Sequence, residues 1–216
     1  MEKKYILTDE TITLGSGIVL HRIKAIRSFG EVNEGDLGGW IEKEDNLSHE
    51  GDCWIYDNAR VYGNACVYNN AKVLNNAIVY GYAHVFGNVK IFGNTGVYDN
   101  ARVYDDAVLF GNSKIFGNAR VYGYSSVFDN AKIFNNARIT GNAVIQSDND
   151  YIVFKNRWSS GRYFTWTRSN NMWCVGCFYG TGDELIKKAY KDSEISGREY
   201  ERVVKYTESI LKEEEK

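Results

Sequence analysis

From Gly51 to Gln146 the chain places Val, Ile or Leu at every sixth residue, and a small residue two places before each. Written in sixes, the stretch begins GDCWIY, DNARVY, GNACVY and ends DNAKIF, NNARIT, GNAVIQ, making 16 hexads without an insertion. The fifth position is branched aliphatic in all 16, and the second is Asn in 12. A beat of six is neither the 3.6 of a helix nor the 2 of a long strand. It predicts a parallel β-helix, with three hexads to a triangular coil of 18 residues. Each hexad supplies a short strand and a corner. Val61, Val79 and Val97 then stack inside, one per coil. Gly, Asn and Asp at the first two positions suit corners that need φ > 0 or an Asx-turn. Asn side chains stacked at one corner can bond along the axis as a ladder. A disordered tract has no use for a branched residue in constant register.

The flanking pattern differs. YILTDETITLGSGIVLHRIKAI alternates like a hairpin with Gly15-Ser16-Gly17 as its turn. Asp45 to Glu50 already falls in the hexad phase, so the β-helix is expected to begin there. After it, DYIVF, RYFTWTR and MWCVGCF read as three strands, with turns at Ser159-Ser160-Gly161 and Ser169-Asn170-Asn171. Thr181-Gly-Asp-Glu184 is a capping box opening a first helix. Ser196-Gly-Arg-Glu199 reads as the start of a second, with Ile195 and Tyr200 as a staple. Tyr200, Val203, Val204, Thr207, Ile210 and Leu211 form its apolar stripe, and Lys212 to Lys216 reads as a frayed tail. The expected architecture is an all-β solenoid, a left-handed parallel β-helix over 45–146. An N-terminal β cap covers 1–44, and a three-strand, two-helix α/β module covers 147–216 and closes the far end.

Because the interior is filled by the branched residues, function belongs to the outside. The fourth and sixth positions face out, and residues 18 apart share a face. One face stacks Tyr62, Tyr80, Tyr98, Phe116 and Phe134; a second stacks Tyr56, Leu74, Phe92, Phe110 and Phe128; the third stacks Tyr68, Phe86, Tyr104, Tyr122 and then Thr140. So much aromatic surface points to homo-oligomerisation as a dimer or trimer, or to rings that satisfy one another along the ladder. The third face also lines up Cys66, His84, Arg102, Arg120 and Arg138. Three arginines beside Tyr104 and Tyr122 can hold phosphates, or can serve as a solubilising charge ladder.

The net charge of −2 gives no whole-chain reason to expect nucleic acid. Met1-Glu-Lys-Lys leads into a polar stretch, so no signal peptide is expected, and no apolar run approaches a membrane span. The four cysteines, Cys53, Cys66, Cys174 and Cys177, read as reduced structural thiols in a cytoplasm. Cys174-Val-Gly-Cys177 falls in an expected strand, where neither a redox motif nor a zinc site is built. An acyltransferase of this fold needs a histidine base and commonly a loop extruded from the wall. The only repeat histidine is His84, and the repeats extrude nothing. No catalytic residue, metal or cofactor is assigned. FKNRWSSGRYFTWTR interleaves Arg157, Arg162 and Arg168 with Trp158, Tyr163 and Trp166. Such a stretch can grip a nucleotide or single strand, bind a protein, or pack on the end of the β-helix.

HRIKAIRSFGEV followed by GDLGGWIEKEDNLSHEGDCWIYDNA resembles the lead-in of a bacterial and phage family of hexapeptide-repeat proteins that carry transferase or polymer-forming names. WCVGCFYGTGDEL is similar to a small domain that accompanies such repeats in phage and prophage proteins. The resemblance implies a left-handed helix and a phage or prophage origin. The expected function is a non-enzymatic scaffold that presents its outer faces and C-terminal module to a partner. On the resemblance rests the expectation that this partner is a host protein of the bacterial cytoplasm, for instance a component of a defence system such as a CRISPR effector. An acyltransferase using acyl-CoA and a nucleotide-binding sponge remain as rival readings.

Overall fold

The computed structural model describes residues 2–214. Its chain divides into two compact units, Met1–Asp148 and Asn149–Lys216. The first unit is a parallel β-solenoid. Strands β1 (Tyr5–Thr13), β2 (Val19–Ala25) and β3 (Leu37–Ile41) lead into sixteen two-residue strands, β4 (Trp54–Ile55) through β19 (Val144–Ile145). These strands fall on three faces. The third face holds β6 (Cys66–Val67), β9 (His84–Val85), β12 (Arg102–Val103), β15 (Arg120–Val121) and β18 (Arg138–Ile139).

The physical reason for the beat is visible at both ends of each hexad. The first residue has positive φ in all 16 hexads, Asp57 at 54° and Gly93 at 74° among them. Gly, Asn and Asp are the residues that reach this region at least cost, so the corner selects them. The third and fifth residues turn inward and are fully enclosed, as at Ala59 and Val61. Val61 pairs with Val79 and Val79 with Val97, so the interior is a stack of branched side chains. Backbone bonds run coil to coil, for example Tyr80 N to Val97 O at 3.0 Å. The Asn ladder forms as expected: Asn70 Nδ2 donates to Asn88 Oδ1 at 3.1 Å, and Asn88 Nδ2 to Asp106 Oδ1 at 3.0 Å. Where the third residue is hydroxylic, Thr95 Oγ1 donates to Phe92 O at 2.8 Å, which satisfies a buried polar group inside the wall.

The expected hairpin exists. β1 pairs antiparallel with β2, and Gly17 turns between them with φ 84°. β2 pairs antiparallel with β3, and β3 pairs parallel with β5 (Arg60–Val61), so the lead-in strands extend the first face. One expectation is corrected here. Asp45 to Glu50 does not keep the hexad phase. Leu47, the third residue of that hexad, takes the inward place over Val67, and Ile41 stands over Val61, both 20 residues apart. The solenoid therefore starts at β3, two residues out of phase. The surplus is absorbed between Leu47 and Ile55, around the turn at Gly51.

The second unit has four strands, not three: β20 (Tyr151–Lys155), β21 (Tyr163–Thr167), β22 (Met172–Val175) and β23 (Phe178–Gly180), antiparallel in that order. MWCVGCF is a tight hairpin. Val175 pairs with Phe178 across Gly176-Cys177, and Gly176 has φ 62°. Cys174 thus lies in β22 and Cys177 in the turn, rather than both along one strand. Helix α1 (Gly182–Asp192) opens on the expected capping box, with Thr181 N donating to Glu184 Oε2 at 2.8 Å. Helix α2 (Glu194–Glu214) begins two residues before Ser196. Ser193 Oγ accepts from Ser196 N at 3.1 Å and caps it, while Ile195 is exposed and is no staple. Tyr200, Val203, Val204 and Leu211 pack with Phe164, Trp166 and Trp173 around the unit's core. The helix continues through Lys212 to Glu214, and the last two residues of the expected frayed tail lie outside the described residues. Among the described residues no helix is long and apolar enough to cross a membrane.

Candidate functional site

The third face gathers the outward chemistry. Its strands pair in parallel register, so Cys66, His84, Arg102, Arg120 and Arg138 form one column up the wall. The neighbouring column is a ring stack: Tyr68 on Phe86 at 4.8 Å, Phe86 on Tyr104 at 5.0 Å and Tyr104 on Tyr122 at 4.7 Å between centroids. Thr140 ends the stack and is buried. At the head of the face lies an open hollow of about 440 Å³, lined by Lys43, Asp45, Asn46, Asn64, Ala65 and Cys66. Asn46 fixes it, donating from Nδ2 to Gly63 O at 3.2 Å and Ala65 O at 2.9 Å. Lys43 Nζ donates to Asn64 Oδ1 at 3.2 Å across the rim.

The charges on this face differ in character. Burial, and after it the guanidinium of Arg102, pushes the His84 imidazole below its ordinary pKa, so it is neutral at pH 7. Its ring meets Tyr68 edge-on, with centroids 6.3 Å apart. Burial, reinforced by Asp45, pushes the Cys66 thiol up, and its Sγ lies 3.6 Å from Asn64 O. Cys66 is therefore a protonated thiol and a poor nucleophile. Arg102 and Arg120 form no salt bridge among the described residues. Like charges in direct register repel. Among the described residues no three of His, Cys, Asp or Glu gather as a metal cluster.

The rings of all three faces are half-buried against one another. On the first face the centroid distances are 5.1, 5.0, 5.1 and 5.4 Å from Tyr62 through Phe134; on the second, Phe92, Phe110 and Phe128 stack at 5.2 and 4.8 Å. Part of the aromatic surface is thus satisfied inside the chain.

In the second unit the basic and aromatic residues separate. Trp166 is enclosed in the core, and its indole N–H donates to Asn171 Oδ1 at 2.9 Å. Trp158 is half-buried against Phe164 and Tyr200 at 5.9 Å. Arg157, Arg162 and Arg168 are exposed. Arg162 lies against Gly176, and Arg168 N donates to Asp150 O at 2.8 Å. Tyr163 is half-buried, with Lys155 Nζ 5.7 Å above its ring. Strand alternation sends Phe164 and Trp166 inward, which leaves Tyr163 as the ring beside the exposed arginines.

Lys43, Asp45 and Asn64 of the hollow were not singled out from the sequence. The two-residue offset of the lead-in coil hides that Lys43 and Asp45 stand beside Cys66. The signal that finds them is the pair Gly39 and Ile41, small and branched at the hexad spacing, with Leu47 one hexad further on.

Two comparisons bear on this wall. The YdcK β-solenoid repeat family matches residues 55–69 and 97–111. The "Uncharacterized acetyltransferase YdcK" of Escherichia coli (strain K12) is 36% identical over 66 residues, which is 27% of this chain and 20% of that protein. The chain therefore spans about a fifth of the length of the curated relative it matches.

Proposed function

For a hexapeptide-repeat β-helix whose repeats are similar to those of the YdcK solenoid, we propose the role of a protein-binding scaffold that uses the third face. The observation that carries this reading is the registered column of Arg102, Arg120 and Arg138 beside Tyr104 and Tyr122. Arg and Tyr dominate binding hot spots, and a stiff wall loses little entropy on docking. The partner in this reading is a protein that presents carboxylates, and the resemblance of the lead-in and tail to phage and prophage proteins supports a host protein, such as a defence component. The test is capture from a bacterial lysate, followed by calorimetric titration of the captured protein. Arg120→Ser is expected to weaken binding about tenfold, which is roughly 1.4 kcal/mol, and added salt to weaken it further. Equal affinity for both forms overturns the reading. Cyclic nucleotides in the same calorimeter test the nucleotide-binding alternative. Molar mass in solution tests whether the ring-bearing faces bind second copies.

A specific observation favours a second reading, acyl transfer from acyl-CoA. His84 is a neutral imidazole beside Arg102, and the relative bears an acetyltransferase name. In that reaction His84 would take the proton of an acceptor amine or hydroxyl while the CoA thiolate leaves. Acetyl-CoA turnover that is lost in His84→Asn supports it, and absence of turnover removes it.

A further inference from the structure

We propose that Lys4 and Cys53 are a peroxide-sensitive cross-linking site, in which one oxygen atom joins the Lys4 nitrogen to the Cys53 sulfur. Both residues are 0% exposed. A lysine enclosed without a carboxylate partner is rare, because its charge is expensive to bury. Lys4 Nζ donates to Gly51 O at 3.0 Å and Cys53 O at 2.9 Å, and lies 3.3 Å from Cys53 Sγ. The Phe29 ring closes the remaining side, with its centroid 4.7 Å from Nζ. Cys53 Sγ is itself held between Ser48 O at 3.5 Å and Glu50 O at 3.6 Å. The pair sits one layer beneath the exposed residues Glu50, Gly51 and Asp52, at the corner where the two surplus residues enter the solenoid. Cys53 occupies the third, inward place of its hexad, which Ala fills in most of the others.

The chemistry suits this geometry. Burial lowers the Lys4 amine pKa and raises that of the Cys53 thiol, so both groups are driven toward their neutral forms. One peroxide oxidises the Cys53 thiol to sulfenic acid and a second oxidises the neutral Lys4 amine to its hydroxylamine, each releasing one water; the hydroxylamine oxygen then attacks the sulfenic sulfur and the third water leaves. The balanced step consumes two molecules of hydrogen peroxide. The S–H bond and one N–H bond break, and S–O and O–N bonds form. Sulfur and nitrogen together give four electrons to the two peroxides, and three waters leave. An N···S separation of 3.3 Å leaves room for a bridging oxygen with little backbone movement. The product ties β1 to the first regular coil across 49 residues of chain.

The test is intact mass and peptide mapping of the full chain after treatment with hydrogen peroxide. The expected product has gained one oxygen and lost two hydrogens. It joins the peptides of Lys4 and Cys53, reverts with dithiothreitol, and melts at higher temperature than the reduced chain. Cys53→Ala keeps the wall, since Ala is the usual residue there, and is expected to abolish the product. A variant with Cys66, Cys174 and Cys177 all changed to Ser is expected to keep it. Loss of two hydrogens without oxygen would reveal a direct N–S bond and overturn the proposal. Sulfinic acid at Cys53 without a cross-link, or no change in mass, would reduce Lys4 to a hydrogen-bond hub and overturn it equally.

Discussion

Leu47 pairs with Val67, 20 residues further along the chain, whereas Val67 pairs with Val85 at 18. This offset of two sets the entrance of the solenoid. It lets β3 lie against the first regular coil, brings Lys43 and Asp45 beside Cys66, and turns Cys53 back toward Lys4. The entrance depends on close approach. A Cβ added at Gly39 would sit 2.6 Å from Ala59 O and 2.6 Å from Ile55 Cγ2.

Gly39→Ala is therefore expected to destabilise the first unit by about 1–3 kcal/mol through overpacking. Gly15→Ala, in the hairpin turn with nothing within 4 Å of an added Cβ, is expected to change little. Urea midpoints of the two variants check this, and equal midpoints would mean that β3 can yield.

The corners carry a second prediction. Gly93 has φ 74°, and an added Cβ would meet Gly111 O at 2.7 Å, so Gly93→Ala is expected to cost at least roughly 1–2 kcal/mol. Asn135 holds the same corner conformation at φ 57°, and Asn135→Gly is expected to stay within about 0.5 kcal/mol. The thermal unfolding of both variants separates the backbone requirement from the side-chain one.

The regular wall was legible because each hexad states its geometry twice, once in the left-handed corner residue and once in the small and branched inward pair. Where one statement lapses, the phase is lost from the sequence. The lead-in coil uses Gly39 and Ile41 in the inward places but replaces a corner with a 3-10 turn at Glu44–Asn46, so its phase is invisible from the later beat. MWCVGCF looks like one strand because its residues are nearly all apolar, and the positive φ of Gly176 shows only in the fold. Ser193 and Ser196 are both competent caps, and sequence alone does not rank them. The arginine column followed from the period of 18. Strand alternation in the second unit turns Trp166 into the core beside Val204 of α2, which the interleaving of arginines and rings in the sequence does not reveal. Lys4 gave no sign of burial, since a charged residue near the N-terminus reads as solvated.

His84 makes a prediction about pH. Its imidazole pKa is lowered in the folded chain by burial and then by Arg102, from an ordinary value of about 6.5. The unfolded chain therefore binds more protons near that pH, and stability falls as pH drops through about 6.5. His49, also lowered chiefly by burial, acts in the same direction. Arg102→Met is expected to raise the His84 pKa by removing the nearby cation. NMR titration of the ring protons checks it: an unchanged or lower value in the variant would show that Arg102 exerts no field on His84.

The ring ladders yield the last prediction, which follows from position in the stack. Tyr98 stacks on Tyr80 at 5.0 Å and on Phe116 at 5.1 Å, while among the described residues Phe134 stacks on one ring, Phe116, at 5.4 Å. Each stacked pair contributes about 0.5–1.5 kcal/mol beyond area burial. Tyr98→Ala is thus expected to cost more than Phe134→Ala by about one pair. The measurement is denaturant unfolding at several protein concentrations. If the gap persists unchanged at high dilution, the rings stabilise the single chain through one another. If the cost of either variant instead tracks concentration, the first face is held by a second copy, because mass action then enters the unfolding equilibrium.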